Sequence, residues 1–246
     1  MTSVTIITAT TGNPLLARCI ASVRKQTYKN IQHIVVVDGQ DRWDAADSIL
    51  YKLQFPVKAN NEQLCVLPYA TGINKYNGHR IYGGFTYIAD GDCIMYLDED
   101  NYLEPNHVES CVLAMQNNEW TYSLRNIVDK DSNFICQDNC ESLGKWASVI
   151  HPEDFFVDVN CFFMPKPLAV HLSPIWNRKA REPNVPEVDR VLTHFIKQVA
   201  PRFDSTYQYT VNYTAGNTEV SVQKEFFIQG NERMLAAYQG NLPWQK

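Results

Sequence analysis

The stretch from residue 4 to residue 39 constrains the fold most. Two short β-branched runs, residues 4–8 and 34–37, bracket a segment in which Leu16, Cys19, Ile20 and Val23 recur at i, i+3, i+4 and i+7. That spacing buries one face of a helix. A continuous apolar run as short as 34–37 fits a central strand covered on both faces, as in a parallel sheet. Pro14 stands where a first helical residue is tolerated, and the second run stops at Asp38-Gly39. The segment therefore predicts a β-α-β unit whose acidic residue lies at the carboxyl end of its second strand, where open α/β sheets bind ligands.

Further along, residues 44–53 form a weaker helical pattern and 64–67 a short strand. Gly72, Gly78, Gly83 and Gly84 then punctuate a stretch that also carries Lys75, His79 and Arg80. Residues 93–97 are another apolar run, ending in Asp98-Glu99-Asp100, and a helix follows from Pro105 with Val108, Cys111, Val112 and Met115 on one face. Residues 120–128, 133–136 and 157–164 read as strands. Residues 186–200 are a helix with an apolar stripe from Val188 to Val199, ended by Pro201. An alternating strand (205–214) and a terminal helix within 219–238 complete the chain. The expectation is a mixed, mainly parallel α/β sheet flanked by helices, with the parallel strands in the first half. One domain spans 1–246, divided into a ligand-binding half (1–115), a second half (116–204) and a C-terminal strand and helix arm (205–246).

Composition narrows the function. With 246 residues, 45% of them hydrophobic, the chain can bury a sizeable core, and a formal charge of -5 argues against a broad basic surface for nucleic acid or anionic lipid. If the ligand is phosphorylated, a metal ion or a few local cations must supply the counter-charge. No apolar run approaches the length of a membrane span, and the start reads as a strand and not as a signal peptide. Seven dispersed cysteines without a CxxC pair suggest neither a disulfide framework nor a zinc site, so a cytoplasmic setting is expected. A homo-oligomer is left open.

Asp98 and Asp100 follow an apolar strand with one residue between them, so both carboxylates can turn toward one point above the sheet edge. Two hard oxygen donors suit Mn²⁺ or Mg²⁺, with a diphosphate completing the shell; a solvated acidic turn is the plain alternative. If residues 157–164 form a strand, Asp158 and Asn160 share one of its faces, opposite Val159, Cys161 and Phe163, and could face an acceptor. Trp176 could stack on a sugar ring or simply be buried. Glu187 and Asp189 open the 186–200 helix, where carboxylates are also stabilised by the helix dipole; they flank the apolar stripe on opposite edges, so one edge is expected to face the cleft, and the Asp189 edge carries Thr193 and Lys197.

Three ordered pieces resemble family 2 glycosyltransferases of the GT-A fold: VTIITAT with CIASVRKQTYKNIQHIVVVDG, then NGHRIYGG, then IMYLDEDNYLEP. The resemblance covers roughly the first 110 residues. It implies an inverting transfer from a nucleotide-diphosphate sugar, commonly UDP-linked, to a sugar or glycan acceptor. Thr8 and Ala9 would line the nucleotide pocket, Asp38 would hydrogen-bond the base, Arg80 would lie near the nucleotide, Asp98 would contact ribose or metal, and Asp100 would ligate the metal. PEVDRVLTHFIK resembles the family's acidic motif that supplies a general base, here Asp189 or Glu187. Asp38-Gly39 departs from the two aspartates common at this point. The last histidine, His194, lies inside a helix, and a third metal ligand is left open. The rival readings are a non-catalytic sugar-nucleotide-binding module and a nucleotidyltransferase, although ITATTGNPLL carries no cation for a phosphate loop. The absence of G-x-G-x-x-G after the first strand argues against a dinucleotide-dependent oxidoreductase.

Overall fold

The computed structural model describes residues 1–56, 61–150, 152, 155–179, 187–217 and 221–245. In chain order the elements are β1 (Val4–Thr10), α1 (Leu16–Arg24), β2 (Ile31–Val37), α2 (Trp43–Lys52), β3 (Glu62–Val66), α3 (His79–Ile88), β4 (Cys93–Tyr96), β5 (Tyr102–Leu103), α4 (His107–Ala114), β6 (Trp120–Val128), β7 (Phe134–Gln137), β8 (Phe162–Pro165), α5 (Lys166–Leu172), α6 (Val188–Val199), β9 (Phe203–Thr214) and α7 (Lys224–Ala237). Among the described residues the strands form one sheet in the order β3-β2-β1-β4-β8-β6-β9-β5, with β7 also on β6.

The long pairings are parallel: β1 with β2 from Val4↔Ile31 to Thr10↔Val37, and β6 with β9 from Trp120↔Phe203 to Val128↔Thr214. β4 is parallel to β1 and antiparallel to β8. The parallel arrangement thus extends into the second half, and β9 runs inside the sheet between β6 and β5. The chain leaves β1 toward β2 on one side and returns to β4 on the other, so the strand order reverses between the carboxyl ends of β1 and β4. Such a switch point opens a crevice.

Helix α1 buries Leu16, Cys19, Ile20, Ser22 and Val23, the face expected from the 3.6-residue period. It begins one residue after the N-cap Leu15, so Pro14 precedes the helix. Strand β6 is buried at every position except Asn126, with Trp120, Tyr122, Leu124 and Ile127 in the main core. Two expectations need correction. Residues 157–161 are not strand: the Asp158 side chain accepts the N–H of Asn160 and caps a short 3₁₀ turn at Val159–Cys161, and only Phe162–Pro165 extends. A side-chain cap offers the backbone an alternative to the sheet ladder. In α6 the buried side is Val188, Leu192, Thr193 and Ile196, while Phe195 and Val199 are 40% and 46% exposed. The helix is rotated away from the stripe read in the sequence. Pro186, the first residue assigned to that helix, lies outside the described residues, as does Glu219 at the start of the terminal one.

Candidate active site

A cleft of about 730 Å³ opens at the carboxyl ends of β1 and β4. Its lining includes Ala9, Thr10, Asp38, Tyr82, Asp98, Asp100, Arg125, Asp158, Trp176, Glu187, Asp189 and Asn217. Most residues singled out in the sequence therefore meet in one place, although they are scattered over about two hundred positions.

The acidic turn after β4 is built by its neighbours. Glu99 faces back toward the β1–α1 loop, where it accepts the N–H groups of Thr11 at 3.0 Å and Asn13 at 2.9 Å and also the Thr10 hydroxyl. That leaves Asp98 and Asp100 toward the cleft. Asp98 accepts the Tyr82 hydroxyl at 2.5 Å on Oδ1 and the Asn160 amide at 2.9 Å on Oδ2. Asp100 accepts the side-chain amide of Asn217. Burial, and then the neighbouring Asp100, raise the Asp98 pKa to about 7; burial raises that of Asp100 to about 6. Two carboxylates this close in low dielectric repel each other, and a cation between them would relieve the repulsion.

Among the described residues no group of three or more His, Cys, Asp or Glu side chains is disposed to hold a metal. Asp98 and Asp100 are two hard oxygen donors facing an open cleft, and could hold a divalent ion only if its remaining ligands came from water or a bound ligand.

At the end of the cleft beside β2, Asp38 is 5% exposed, and its carboxylate accepts the N–H of Thr71 at 2.6 Å, the Thr71 hydroxyl at 2.9 Å and the N–H of Gly72 at 2.8 Å. It lines the cleft while anchoring the loop that walls it. Thr8 does not line the cleft: it is fully buried, with its hydroxyl 3.0 Å from Nε2 of His33. Ala9 and Thr10, nearer the strand end, take that place. Arg80 is likewise outside. Its guanidinium lies over the Tyr76 ring at 3.3 Å, and its Nε donates to Asn177 Oδ1 at 3.0 Å, beside a separate shallow groove.

The opposite wall is an ionic network that the sequence left unassigned. Arg125, in the buried β6 strand and 1% exposed, donates to Asp138 at 2.8 Å, to Glu141 at 2.5 Å and to Asp158. Burial opposes the Arg125 charge, but Asp158, Asp138 and Glu141 outweigh it and raise its pKa well above the ordinary value. Arg190 donates to the other oxygen of Glu141 at 2.9 Å. A lone arginine inside an apolar strand was the available signal, since a buried charge must be paired. Asp158 is therefore half of a buried ion pair, and Asn160, fully buried, bridges Asp158 and Asp98. Trp176 is 1% exposed, packed by the rings of Tyr82 and Tyr96 at 5.6 and 5.0 Å.

Both acids at the start of α6 line the cleft, so they do not separate onto opposite sides as the helical wheel suggested. Burial, and then Asp158, raise the pKa of Asp189 well above the ordinary carboxylate value, although Asp189 lies in the first turn of the helix. A raised pKa makes the carboxylate a stronger base in the fraction that is ionised.

Residues 3–138 match the family model described as "Glycosyl transferase family 2", which is more than half of the chain. The chain belongs to glycosyl transferase family 2. Its fold is that of S. aureus TarS, a GT-A type enzyme. The structure of TarS 1-349 in complex with UDP superposes with a TM-score of 0.61 at 12% identity, over 98% of this chain and 72% of that one. The corresponding complex with UDP-GlcNAc gives 0.61 at 13%, over 96% and 66%. Against the longer TarS chain the score is 0.56 at 12% identity, and this protein spans 40% of its length. No curated protein is significantly similar to the chain. Among the described residues no helix is long and apolar enough to cross a membrane.

Proposed function

We propose that the protein transfers a sugar from a uridine diphosphate sugar to an acceptor hydroxyl with inversion, and that Asp98 and Asp100 bind the diphosphate through Mn²⁺ or Mg²⁺. The observation that carries this reading is that the acidic pair after β4 and Asp189 on α6 line the same cleft. The UDP and UDP-GlcNAc complexes of TarS support the choice of nucleotide.

In this scheme Asp38 and the loop it anchors receive the base, and Ala9 and Thr10 bound the ribose end. The bound ion supplies Lewis-acid stabilisation of the departing diphosphate. Asp189 takes the proton of the acceptor hydroxyl as its oxygen bonds to the anomeric carbon; the bond from that carbon to the β-phosphate oxygen breaks on the opposite face, and the nucleoside diphosphate leaves. Arg125 and Arg190, committed to Glu141, Asp138 and Asp158, give this wall a fixed geometry, so positioning contributes much of the rate.

Asp100→Ala tests the donor side. It should abolish the Mn²⁺-dependent part of UDP binding and leave thermal unfolding within a few degrees of wild type, because the carboxylate lines a cleft and not the core. Unchanged UDP affinity in Mn²⁺ would remove Asp100 from the metal site.

A further inference from the structure

Asn160 is fully buried at the turn that leads into β8, and every polar atom of its amide is engaged. Its Oδ1 accepts the backbone N–H of Asp98 at 2.7 Å, and its Nδ2 donates to Asp98 Oδ2 at 2.9 Å and to Asp158 Oδ1 at 2.8 Å. The Asn160 backbone N–H also donates to Asp158 Oδ1, at 2.9 Å. Asp158 Oδ2 in turn accepts from Arg125, which is itself held by Asp138 and Glu141.

A carboxamide is the side chain that satisfies this arrangement. It presents one acceptor and two donor hydrogens in one plane, so it grips Asp98 at two points, backbone and carboxylate, and spends its remaining hydrogen on Asp158. Gripping both ends of a short side chain fixes its torsions. An aspartate of the same shape could accept from the Asp98 N–H but would set a lone pair against Asp98 Oδ2 and Asp158 Oδ1, two like-charge contacts in a buried site. A serine could make one of the contacts but not the two-point grip.

We propose that Asn160 is a positioning residue: it holds the Asp98 carboxylate toward the cleft and ties it to the Arg125 network on the acceptor wall. The inference rests on the reading above, in which Asp98 serves metal-assisted diphosphate binding. Partners that orient a metal-binding carboxylate typically alter metal affinity by about 10- to 100-fold when lost.

The test uses the full chain and measures UDP affinity by calorimetry across a Mn²⁺ series, with uridine, which lacks phosphate, as the control ligand. Asn160→Asp should raise the Mn²⁺ concentration that half-saturates UDP binding by about 10-fold or more. Asn160→Ser, which keeps a small polar group in the turn and serves if the aspartate variant fails to fold, should raise it by less. Uridine affinity without metal should stay within about twofold in both. An unchanged Mn²⁺ requirement in a folded variant overturns the proposal, and so does an equal loss of uridine and UDP affinity, which marks a general distortion. Wild-type UDP binding that ignores Mn²⁺ overturns the metal reading itself, and this inference with it.

Discussion

The guanidinium of Arg18 on α1 donates to the backbone carbonyl of Asp100 at 2.7 Å, so the first helix holds the acidic turn from behind. The same group donates to Thr214 Oγ1 at 2.7 Å and Ser132 Oγ at 2.6 Å, and it lies 4.5 Å from the centre of the Tyr102 ring. Arg18→Met should cost about 1–3 kcal/mol of stability through the unpaired acceptors and weaken Mn²⁺-dependent UDP binding. Arg18→Lys should not restore it, because a compact ammonium lacks the spread of the rigid guanidinium fork that reaches all three acceptors. Denaturant unfolding and calorimetry read the two effects; full recovery by lysine would contradict the account.

Asp38 anchors the loop at Thr71 and Gly72, and Asn74, Lys75 and Asn77 in that loop hold φ values of 57°, 70° and 48°. Backbone of this kind persists only where its surroundings enforce it. A β-carbon on Gly72 would meet the Asn77 carbonyl and stand 2.7 Å from Asp38 Oδ2. Gly72→Ala should therefore weaken uridine binding about as much as Asp38→Ala does, and both should spare metal-dependent pyrophosphate binding. Normal uridine affinity in Gly72→Ala would show that the loop is not what Asp38 contributes.

Periodicity made the β-α-β opening, β4 with its acidic end, and β6 legible, because each is a strongly patterned element buried as its pattern requires. Helix α3 was not legible. Gly83 and Gly84 read as punctuation, yet a β-carbon on Gly83 would approach the Ser173 carbonyl to 3.0 Å, so one of these glycines serves close packing within a helix. The 157–161 turn was lost because alternation alone cannot distinguish a strand from a turn capped by its own aspartate. At the site, Asp98, Asp100, Asp38 and the α6 acids were visible as motif residues. Arg125, Asp138 and Glu141 were not, since their meaning arises only where β6 meets the loop after β7. The stripe on α6 misled for a related reason: Phe195 and Val199 stay half exposed while Thr193 is buried, with its hydroxyl accepting the Val157 N–H at 3.1 Å.

Two buried histidines set an acid limit on stability. Burial, reinforced for His33 by Arg24, lowers both His33 and His107 to about 3, and one ring nitrogen of each has no hydrogen-bond partner among the described residues. Between about 6.5 and about 3 the unfolded chain binds more protons than the folded one, so each histidine's contribution is lost as pH falls through that window. At pH 5 the loss is about 2 kcal/mol per histidine. The raised acids Asp98 and Asp100 act in the opposite direction, so the histidine contribution is read as a difference. The stability gap between His107→Gln and wild type, from urea unfolding, should shift in favour of the variant by about 2 kcal/mol between pH 7.5 and pH 5; a gap independent of pH would contradict the assignment.

Asp189 and Glu187 both reach the cleft, and burial and Asp158 raise the pKa of Asp189. Asp189→Asn should lower kcat by at least about 100-fold with donor affinity nearly unchanged, whereas Glu187→Gln should keep most of the turnover. The pair is compared at saturating donor in the presence of Mn²⁺. Loss in Glu187→Gln alone would move the base to Glu187, and loss in neither would move it elsewhere, with Asp158 the next residue to examine.

The proposed reaction requires the cleft to bind and cleave a nucleotide-diphosphate sugar. The most direct measurement is release of UDP from a panel of UDP-linked sugars by the wild-type chain, with Mn²⁺ and with chelator, alongside calorimetric binding of each. At least one sugar nucleotide should bind in the presence of Mn²⁺, its slow hydrolysis in water should release UDP, and chelator and Asp100→Ala should each abolish the release. Binding without any release, even with acceptor sugars added, would fit a binding module and contradict the catalytic claim; no binding of any nucleotide-diphosphate sugar would contradict the account altogether.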